Sequence, residues 1–479
     1  MTVGARSDNK SPAFILLAIA SLGFVLRAYH LGRASLWFDE ISTFCRATDP
    51  ILKTVRGLFH SAFPPLYYMM MNSYVKAFGE TRELALRMPS LVFSVLSIFL
   101  IFKLSKRLFD EKTAVIAALL LSLSPCSIYW AQEAKMYAML WFLGLCSFYF
   151  FHKFTEDGRA ADLFWYVIFT TLSVYTLYVG FIFIIIQNAI FFLAFDRKRL
   201  KGWLLGQSLV ILLYLPWIDK FLYNAIHQSG IKWIPRTTDY FLYLRDLFLL
   251  VTGLSIGSPA AANSLLGIAE AWLCLLLIIP ALRSDLTRGA LFIFSWIVTP
   301  VIIYLLIDIF VYPILMLRYA ALIHIPLIIL FARVLAGFSA KARTTVLALL
   351  IFMICLNSLY PYYKNGQKLD GQDFRELTAQ IERRAGKNDL VVVIYPVFPA
   401  CIQYYRKGDI NVRFVWSEKI KEIEKACKGY SRVFVVYSAR KPALKAFAGY
   451  ALEEEYAIGK EGFLKFYSKN DNVTYYGRF

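Results

Sequence analysis

Residues 84–104 read LALRMPSLVFSVLSIFLIFKL. At 1.5 Å per residue, a helix of this length crosses a hydrocarbon layer about 30 Å thick. Ten more apolar runs follow the same pattern. They cover about Ala13 to Tyr29, Thr113 to Tyr129, Met136 to Phe151, Leu163 to Tyr178 and Gly180 to Phe195. Beyond these come Trp203 to Leu222, Ser264 to Leu282, Ala290 to Phe310, Tyr319 to Gly337 and Thr345 to Tyr360. The whole chain agrees: 58% of its 479 residues are hydrophobic and only 18% are charged, against roughly 25% charged in soluble domains. Its mean hydropathy is +0.54. These observations specify a polytopic α-helical membrane protein. Aromatic residues at 17%, in helix-type runs without ten-residue alternation, exclude an outer-membrane barrel. Collagen, coiled coil and long disordered tails are excluded by composition.

Two further segments are ambiguous. Pro65 to Phe78 is short and carries Asn72, Ser73 and Lys76, and Phe241 to Ile256 carries Arg245 and Asp246. Loop charge arbitrates, because Lys- and Arg-rich loops stay in the cytoplasm. With eleven spans, the loops containing Lys103/Lys106/Arg107/Lys112, Arg197/Lys198/Arg199/Lys201, Arg283/Arg288 and Lys341/Arg343 share one side. With both ambiguous segments counted, giving thirteen, that agreement is lost. Eleven is preferred, which places the N-terminus inside. The loops around Asp39, Gln132, His227 and Arg318, and the C-terminal tail, are then outside. The formal charge of +19 is thereby mainly a record of membrane insertion, and no nucleic-acid partner is expected. The first span follows Arg6 and Lys10 and is not succeeded by a small-residue cleavage pattern, so it reads as a retained anchor. The seven cysteines show no metal-ligand spacing and lie largely in apolar spans, where they act as small hydrophobes.

The chain divides into a transmembrane region, 1–361, with an external loop at 32–83, and a soluble-type region, 362–479. In the latter, β-rich runs at Leu390 to Ile394, Arg413 to Trp416 and Arg432 to Tyr437 alternate with amphipathic stretches at Phe374 to Arg384 and Glu418 to Lys428. This is the pattern of a small α/β domain.

Chemistry-bearing residues collect at the expected external ends of spans. Leu36-Trp37-Phe38-Asp39-Glu40 places two consecutive carboxylates just beyond the first span. In a partly dehydrated aromatic setting a carboxylate can act as a base for a hydroxyl or bind a cation. The plainer alternative is an acidic cap on the following helix. Ala62-Phe63-Pro64-Pro65-Leu66-Tyr67-Tyr68 fixes the backbone with two prolines at the head of an aromatic segment. In Gln132-Glu133-Ala134-Lys135-Met136-Tyr137, a helical offset of four is expected to put Glu133 and Tyr137 on one face, suited to a polar ligand. The alternative is interfacial anchoring by Tyr and Lys. Arg87 and Arg318 stand near external ends of spans, against the topological trend, where a guanidinium can neutralise a phosphate or simply snorkel to headgroups. His227, Lys232 and Arg236 lie beside Trp233 in another external loop without a spacing that names a role.

In order and placement these segments resemble the GT-C superfamily of membrane glycosyltransferases, in the branch of protein O-mannosyltransferases and aminoarabinose transferases. Gln372-Asp373-Phe374-Arg375 is similar to the Asp-Trp-Arg run that opens the periplasmic domain in many bacterial relatives. The resemblance implies inverting transfer of a sugar from a polyprenyl-phosphate donor on the extracytoplasmic face. By the same resemblance, Asp39 is the base and Glu40 orients it or a cation. Arg87, Glu133, Lys135, Tyr137, Arg318 and Tyr67 bind donor phosphate and substrate. No cofactor is required, and Asp39 and Glu40 are the candidates for any divalent metal. Two positions depart from the common pattern: Phe63 replaces a His before the paired prolines, and Lys135 replaces an Arg. Membrane lipids are partners, and the acceptor is a lipid, glycan or protein.

The rival from another class is a lipid-linked sugar flippase or transporter. That function predicts ionisable residues near the bilayer midplane and repeated halves. A polysaccharide ligase would share the carrier, and a receptor with the tail as its binding module would leave Asp39 replaceable. Asn472-Val473-Thr474 matches a glycosylation sequon, a short pattern common by chance. The expected location is a bacterial or archaeal plasma membrane, with the endoplasmic reticulum as the alternative.

Overall fold

The computed structural model describes residues 12–58, 63–195, 197–227, 239–252, 268–269, 272–274, 276, 287–364, 373–386, 388–394, 399–408, 411–415, 425, 427–430, 432–438, 446–447, 450–458 and 462–469. The span read at Ser264 to Leu282 and the helix read at Glu418 to Lys428 fall mostly outside these residues. Lys232, Trp233, Arg236, Gln372 and the sequon at Asn472 lie wholly outside them. The chain forms two compact units. The first is Met1–Leu31, Asp49–Glu80 and Ala85–Gln367; the second is Gly32–Thr48, Thr81–Leu84 and Lys368–Phe479.

The first unit is helical. Four helices among the described residues are long and apolar enough to cross a membrane: Glu83–Leu108, Leu200–His227, Arg288–Phe310 and Ala340–Lys364. Shorter apolar helices run Pro12–Ala28, Gly180–Ala194 and His324–Gly337. The ambiguous segment at Pro65 is a 13-residue helix, Leu66–Phe78, closed by Gly79 in the left-handed conformation at φ 63°. At about 20 Å it falls short of the hydrocarbon thickness.

The run at Thr113 to Tyr129 is not one straight span. It is two helices, Glu111–Leu123 and Pro125–Ala131, bent by 57°. Pro125 lacks an N–H and clashes with a continuing helix, so the chain restarts there with Ser124 as its cap, its hydroxyl accepting from Ser127 N. The break frees carbonyls in an apolar setting, where they need donors. Arg27 supplies them: its guanidinium donates to Leu121 O and Ser122 O, each at 2.9 Å. It also donates to the Ser94 and Ser127 hydroxyls at 2.8 Å. This arginine, within the span read at Ala13 to Tyr29, is fully buried. Gly23, one turn before it, admits the close approach, since a Cβ there would stand 2.5 Å from Ile98 Cδ1.

Charged loops meet at one end of this unit. Arg107 pairs with Asp157 at 2.6 Å, Arg333 with Asp110 at 2.8 Å and Arg288 with Glu156 at 3.8 Å. Lys106 pairs with Glu111, and Arg199 donates to Glu156 O at 3.2 Å. Arg87 and Arg107 lie on the same helix, Glu83–Leu108. Twenty residues at 1.5 Å put them about 30 Å apart, at opposite edges of a hydrocarbon layer.

The second unit contains a six-stranded mixed sheet. Its strands are β1 (Leu390–Ile394), β2 (Asn411–Val415), β3 (Arg432–Ser438), β4 (Ala446–Phe447), β5 (Tyr450–Ile458) and β6 (Gly462–Lys469), in the order β2-β1-β3-β6-β5-β4. β1 pairs in parallel with β2 and β3, and the remaining pairs are antiparallel. Leu390, Val391, Val392 and Val393 are all buried, as expected of a parallel strand covered on both faces. The helix Phe374–Arg384 is capped by Asp373, whose carboxylate accepts from Glu376 N.

Candidate functional site

The sequence-derived site residues divide between the two units. Asp39 and Glu40 belong to the second; Tyr67, Arg87, Glu133, Lys135, Tyr137 and Arg318 belong to the first.

In the second unit, Asp39 and Glu40 open the helix Phe38–Thr48. Glu40 turns back to accept from Trp37 N at 3.3 Å, the reciprocal arm of a capping box. It is fully buried, whereas Asp39 is half-buried. The acidic-cap function thus falls on Glu40, and Asp39 is the more accessible carboxylate. Two tyrosines that sequence reasoning missed hold this helix. The Tyr405 hydroxyl accepts from Leu36 N at 2.6 Å, and Tyr404 packs edge-on against Phe44 with ring centroids 4.8 Å apart. Burial pushes the Tyr405 phenol well above its ordinary pKa, so it remains a neutral hydroxyl in this role. Their only sequence signal was a tyrosine pair after the helix Pro399–Gln403, far along the chain from Asp39.

In the first unit the segment 132–136 corrects the helical offset expected for Glu133 and Tyr137. Glu133 lies in a turn between the helices Pro125–Ala131 and Tyr137–Asp157, and Tyr137 begins the second of them. The restart at Pro125 leaves room for only a short helix, and Lys135 N bonds to Glu133 O at 2.8 Å, tightening the turn. Gln132 anchors it: its amide nitrogen donates to Arg27 O and Tyr29 O at 2.9 Å, and its amide oxygen accepts from the Tyr362 hydroxyl at 2.8 Å. Gln132, Glu133, Lys135 and Tyr137 are all buried. Tyr137 packs on Trp130 with ring centroids 4.3 Å apart.

Lys135 is 1% exposed. Its ammonium lies 5.1 Å from the Phe63 ring centroid and 5.9 Å from that of Tyr68, and Tyr67 packs edge-on against Tyr68. The two positions that depart from the common pattern therefore touch each other. An aromatic face stabilises a desolvated cation by about 0.5–2 kcal/mol. The Ser90 hydroxyl donates to Lys135 O at 3.2 Å, tying the turn to the start of the Glu83–Leu108 helix. One turn earlier on that helix, Arg87, also 1% exposed, donates to Leu31 O at 2.8 Å. The structure thus brings together Tyr67, Arg87, Glu133, Lys135 and Tyr137 around one turn and one helix start.

Arg318 stands on the short helix Leu317–Ala320, where the run read as Tyr319 to Gly337 breaks before His324–Gly337. Its guanidinium lies 5.7 Å from the Tyr319 ring and 3.5 Å from Met316 Sδ. Asp308, fully buried, orders the preceding turn by accepting from Ile314 N at 2.9 Å and Leu315 N at 3.2 Å. Among the described residues no group of three or more His, Cys, Asp or Glu side chains is arranged to hold a metal ion.

Residues 62–218 match the family profile described as dolichyl-phosphate-mannose-protein mannosyltransferase. Among solved structures, the fold is similar to ArnT from Cupriavidus metallidurans, with a TM-score of 0.62 at 12% identity. The match covers 95% of this chain and 98% of that one in the apo state, and 96% and 98% in the form bound to undecaprenyl phosphate. It is also similar to the archaeal oligosaccharyltransferase AglB from Archaeoglobus fulgidus, in complex with an inhibitory peptide and a dolichol-phosphate, with a TM-score of 0.54 at 13% identity over 90% of this chain and 70% of that one. The arabinofuranosyltransferase AftD from Mycobacteria matches with a TM-score of 0.50 at 11% identity, over 97% of this chain and 42% of that one. No protein of curated function matches the sequence. The resemblance read from the sequence motifs is borne out: residues 62–218 match a mannosyltransferase family profile, and the fold is similar to those of these membrane glycosyltransferases.

Proposed function

We propose that this protein is an inverting glycosyltransferase that moves a sugar from a polyprenyl-phosphate carrier to a lipid, glycan or protein acceptor on the extracytoplasmic face of the plasma membrane. The observation that carries the reading is the pair of buried cations, Arg87 and Lys135, at one end of a membrane-length helix in a GT-C fold. Two proteins of similar fold are seen with undecaprenyl phosphate and dolichol-phosphate. Cations desolvated at a membrane edge favour an anionic lipid head, and a departing phosphate is where negative charge develops.

The reaction needs a single displacement. Asp39 takes the proton of the acceptor hydroxyl as its oxygen attacks the anomeric carbon. The bond from that carbon to the phosphate oxygen breaks, and polyprenyl phosphate leaves with the electron pair. Arg87, Lys135 and Arg318 hold the carrier phosphate, Tyr67, Glu133 and Tyr137 shape the site, and Glu40 fixes the helix start that aims Asp39. Asp39 and Glu40 are the residues that would hold a divalent cation, with substrate phosphate or water completing its coordination. The ion-paired end of the first unit carries the Lys- and Arg-rich loops, which supports placing it in the cytoplasm together with the N-terminus. With eleven spans, the C-terminal domain, 362–479, is then extracytoplasmic.

Purified protein in lipid, given a panel of radiolabelled polyprenyl-phosphate sugars, tests this. Asp39→Asn is expected to lower release of polyprenyl phosphate by about 10²–10⁴-fold with carrier binding retained. Carrier that crosses between leaflets without sugar release from any donor would replace the transferase by the flippase.

A further inference from the structure

The second unit holds a cleft that the proposed chemistry does not use. It encloses about 670 Å³, within the roughly 300–1,000 Å³ of small-molecule sites. Its walls come from the end of the Phe38–Thr48 helix, the segment 81–83, the Phe374–Arg384 helix and the turn after Pro399–Gln403. The aromatic wall is fixed in place. Tyr404 packs edge-on against both Phe44 and Tyr405, at 4.8 and 4.7 Å, and its hydroxyl donates to Thr81 O at 2.8 Å. The Arg375 guanidinium lies 5.6 Å from the Tyr405 ring.

Among the described residues lining the cleft, cationic side chains outnumber carboxylates. Arg82, Arg375, Arg406 and Lys407 line it against two carboxylates, Glu83 and Glu382. Both carboxylates are engaged within the protein: Glu83 pairs with Arg375, and Glu382 accepts from the backbone N–H groups of Lys407 and Gly408. A concave wall with this excess of cations concentrates anions. Aromatic rings offer apolar faces to sugar C–H groups, and guanidinium forks match acidic groups in a planar, bidentate way. We infer that this cleft binds an anionic saccharide, one bearing carboxylate, sulfate or phosphate groups. Resting on the glycosyl-transfer reading, that saccharide is the acceptor.

Full-length protein in phosphatidylcholine nanodiscs, titrated with tetragalacturonate and with neutral galactotetraose, tests the inference. The acidic probe is expected to bind about tenfold or more tighter at low salt, the gap narrowing as salt is added. The double variant Arg406→Glu/Lys407→Glu and the cleft-filling Ala379→Trp should each weaken acidic binding by about tenfold or more. Equal affinity for the two probes, or unchanged binding in both variants, overturns the inference. So does a poly-glutamate peptide that binds as tightly, which would make the partner an acidic protein segment. Competition from nanodiscs containing sulfoquinovosyl diacylglycerol, and not galactosyl diacylglycerol, assigns the saccharide to a lipid headgroup; lack of competition assigns it to a free glycan. Binding is read without transfer, so the two readings fail separately. A discriminating cleft in a protein that releases no sugar removes the catalytic reading alone, and an active transferase whose cleft discriminates nothing removes this one.

Discussion

The two ends of the helical unit hold their charges in opposite ways. At one end Arg333 and Asp110 pair while 46% and 41% exposed, and Arg107 and Asp157 while 29% and 27% exposed. Such pairs contribute about 0–1 kcal/mol, because water already solvates both partners. At the other end Arg27, Arg87 and Lys135 are at most 1% exposed, held by carbonyls, hydroxyls and ring faces. Removing a cation from water costs several kcal/mol, so each of these persists only through a surrounding built for it. The exposed set records how the chain inserts and tolerates exchange. The buried set belongs to architecture or chemistry, and substitution separates the two.

The largest effect is expected at Arg27, where replacement by Met leaves the carbonyls at the Ser124–Pro125 break without donors. A loss of about 3 kcal/mol or more should appear as a Tm lowered by several degrees in detergent. Arg27→Lys should recover only part of it, since an ammonium has three donors for more than three acceptors. An unchanged Tm would erase the distinction between the two ends.

Next comes Lys135→Met, expected to slow release of polyprenyl phosphate by about 10²–10³-fold, with a Tm close to that of the wild type. A smaller effect belongs to its aromatic neighbour. Phe63→Leu should weaken carrier binding by about 0.5–2 kcal/mol in the wild-type background and hardly at all beside Lys135→Met. Equal losses in both backgrounds would show that the ring does not act through the ammonium.

The smallest effects lie at the exposed end. Arg333→Ala should cost at most about 1 kcal/mol, shrinking in salt, and leave transfer unchanged. Burial alone would raise the Asp110 pKa, but the Thr113 N–H and hydroxyl together with the Arg333 and Lys112 charges hold it below its ordinary 3.8. Its stabilising contribution is therefore present above that ordinary value and disappears as pH falls through the lower folded one. Asp110→Asn should flatten this acid limb in a Tm-against-pH series; a limb of unchanged depth would assign it to other carboxylates.

Legibility followed the range of the forces involved. Among the described residues, helices stand where the apolar runs were read, with boundaries shifted by a few residues and breaks at Ser124 and before His324, because hydropathy sums over neighbours in sequence. Strands β1 and β3 begin where their β-rich runs were read for the same reason. The helical offset assumed for Glu133 and Tyr137 failed because Pro125 ends one helix early, a signal that was present in the sequence and not used. The β5–β6 hairpin escaped notice because Tyr450–Ile458 carries three consecutive glutamates in YALEEEYAI, and its pairing with β6, which itself pairs with β3, outweighs that low propensity.

Sequence by itself determined that the chain enters a membrane as helices, and which loops carry the positive charge, since both depend on local composition. It also placed carboxylates and cations at the ends of spans. Only the tertiary structure decided which of them are buried, that Phe63 and Lys135 meet, that Glu40 caps a helix while Asp39 stays more accessible, and that Arg27 closes a break 95 residues away. Those outcomes rest on hydrogen-bond and ring geometry between distant segments, which packing alone sets.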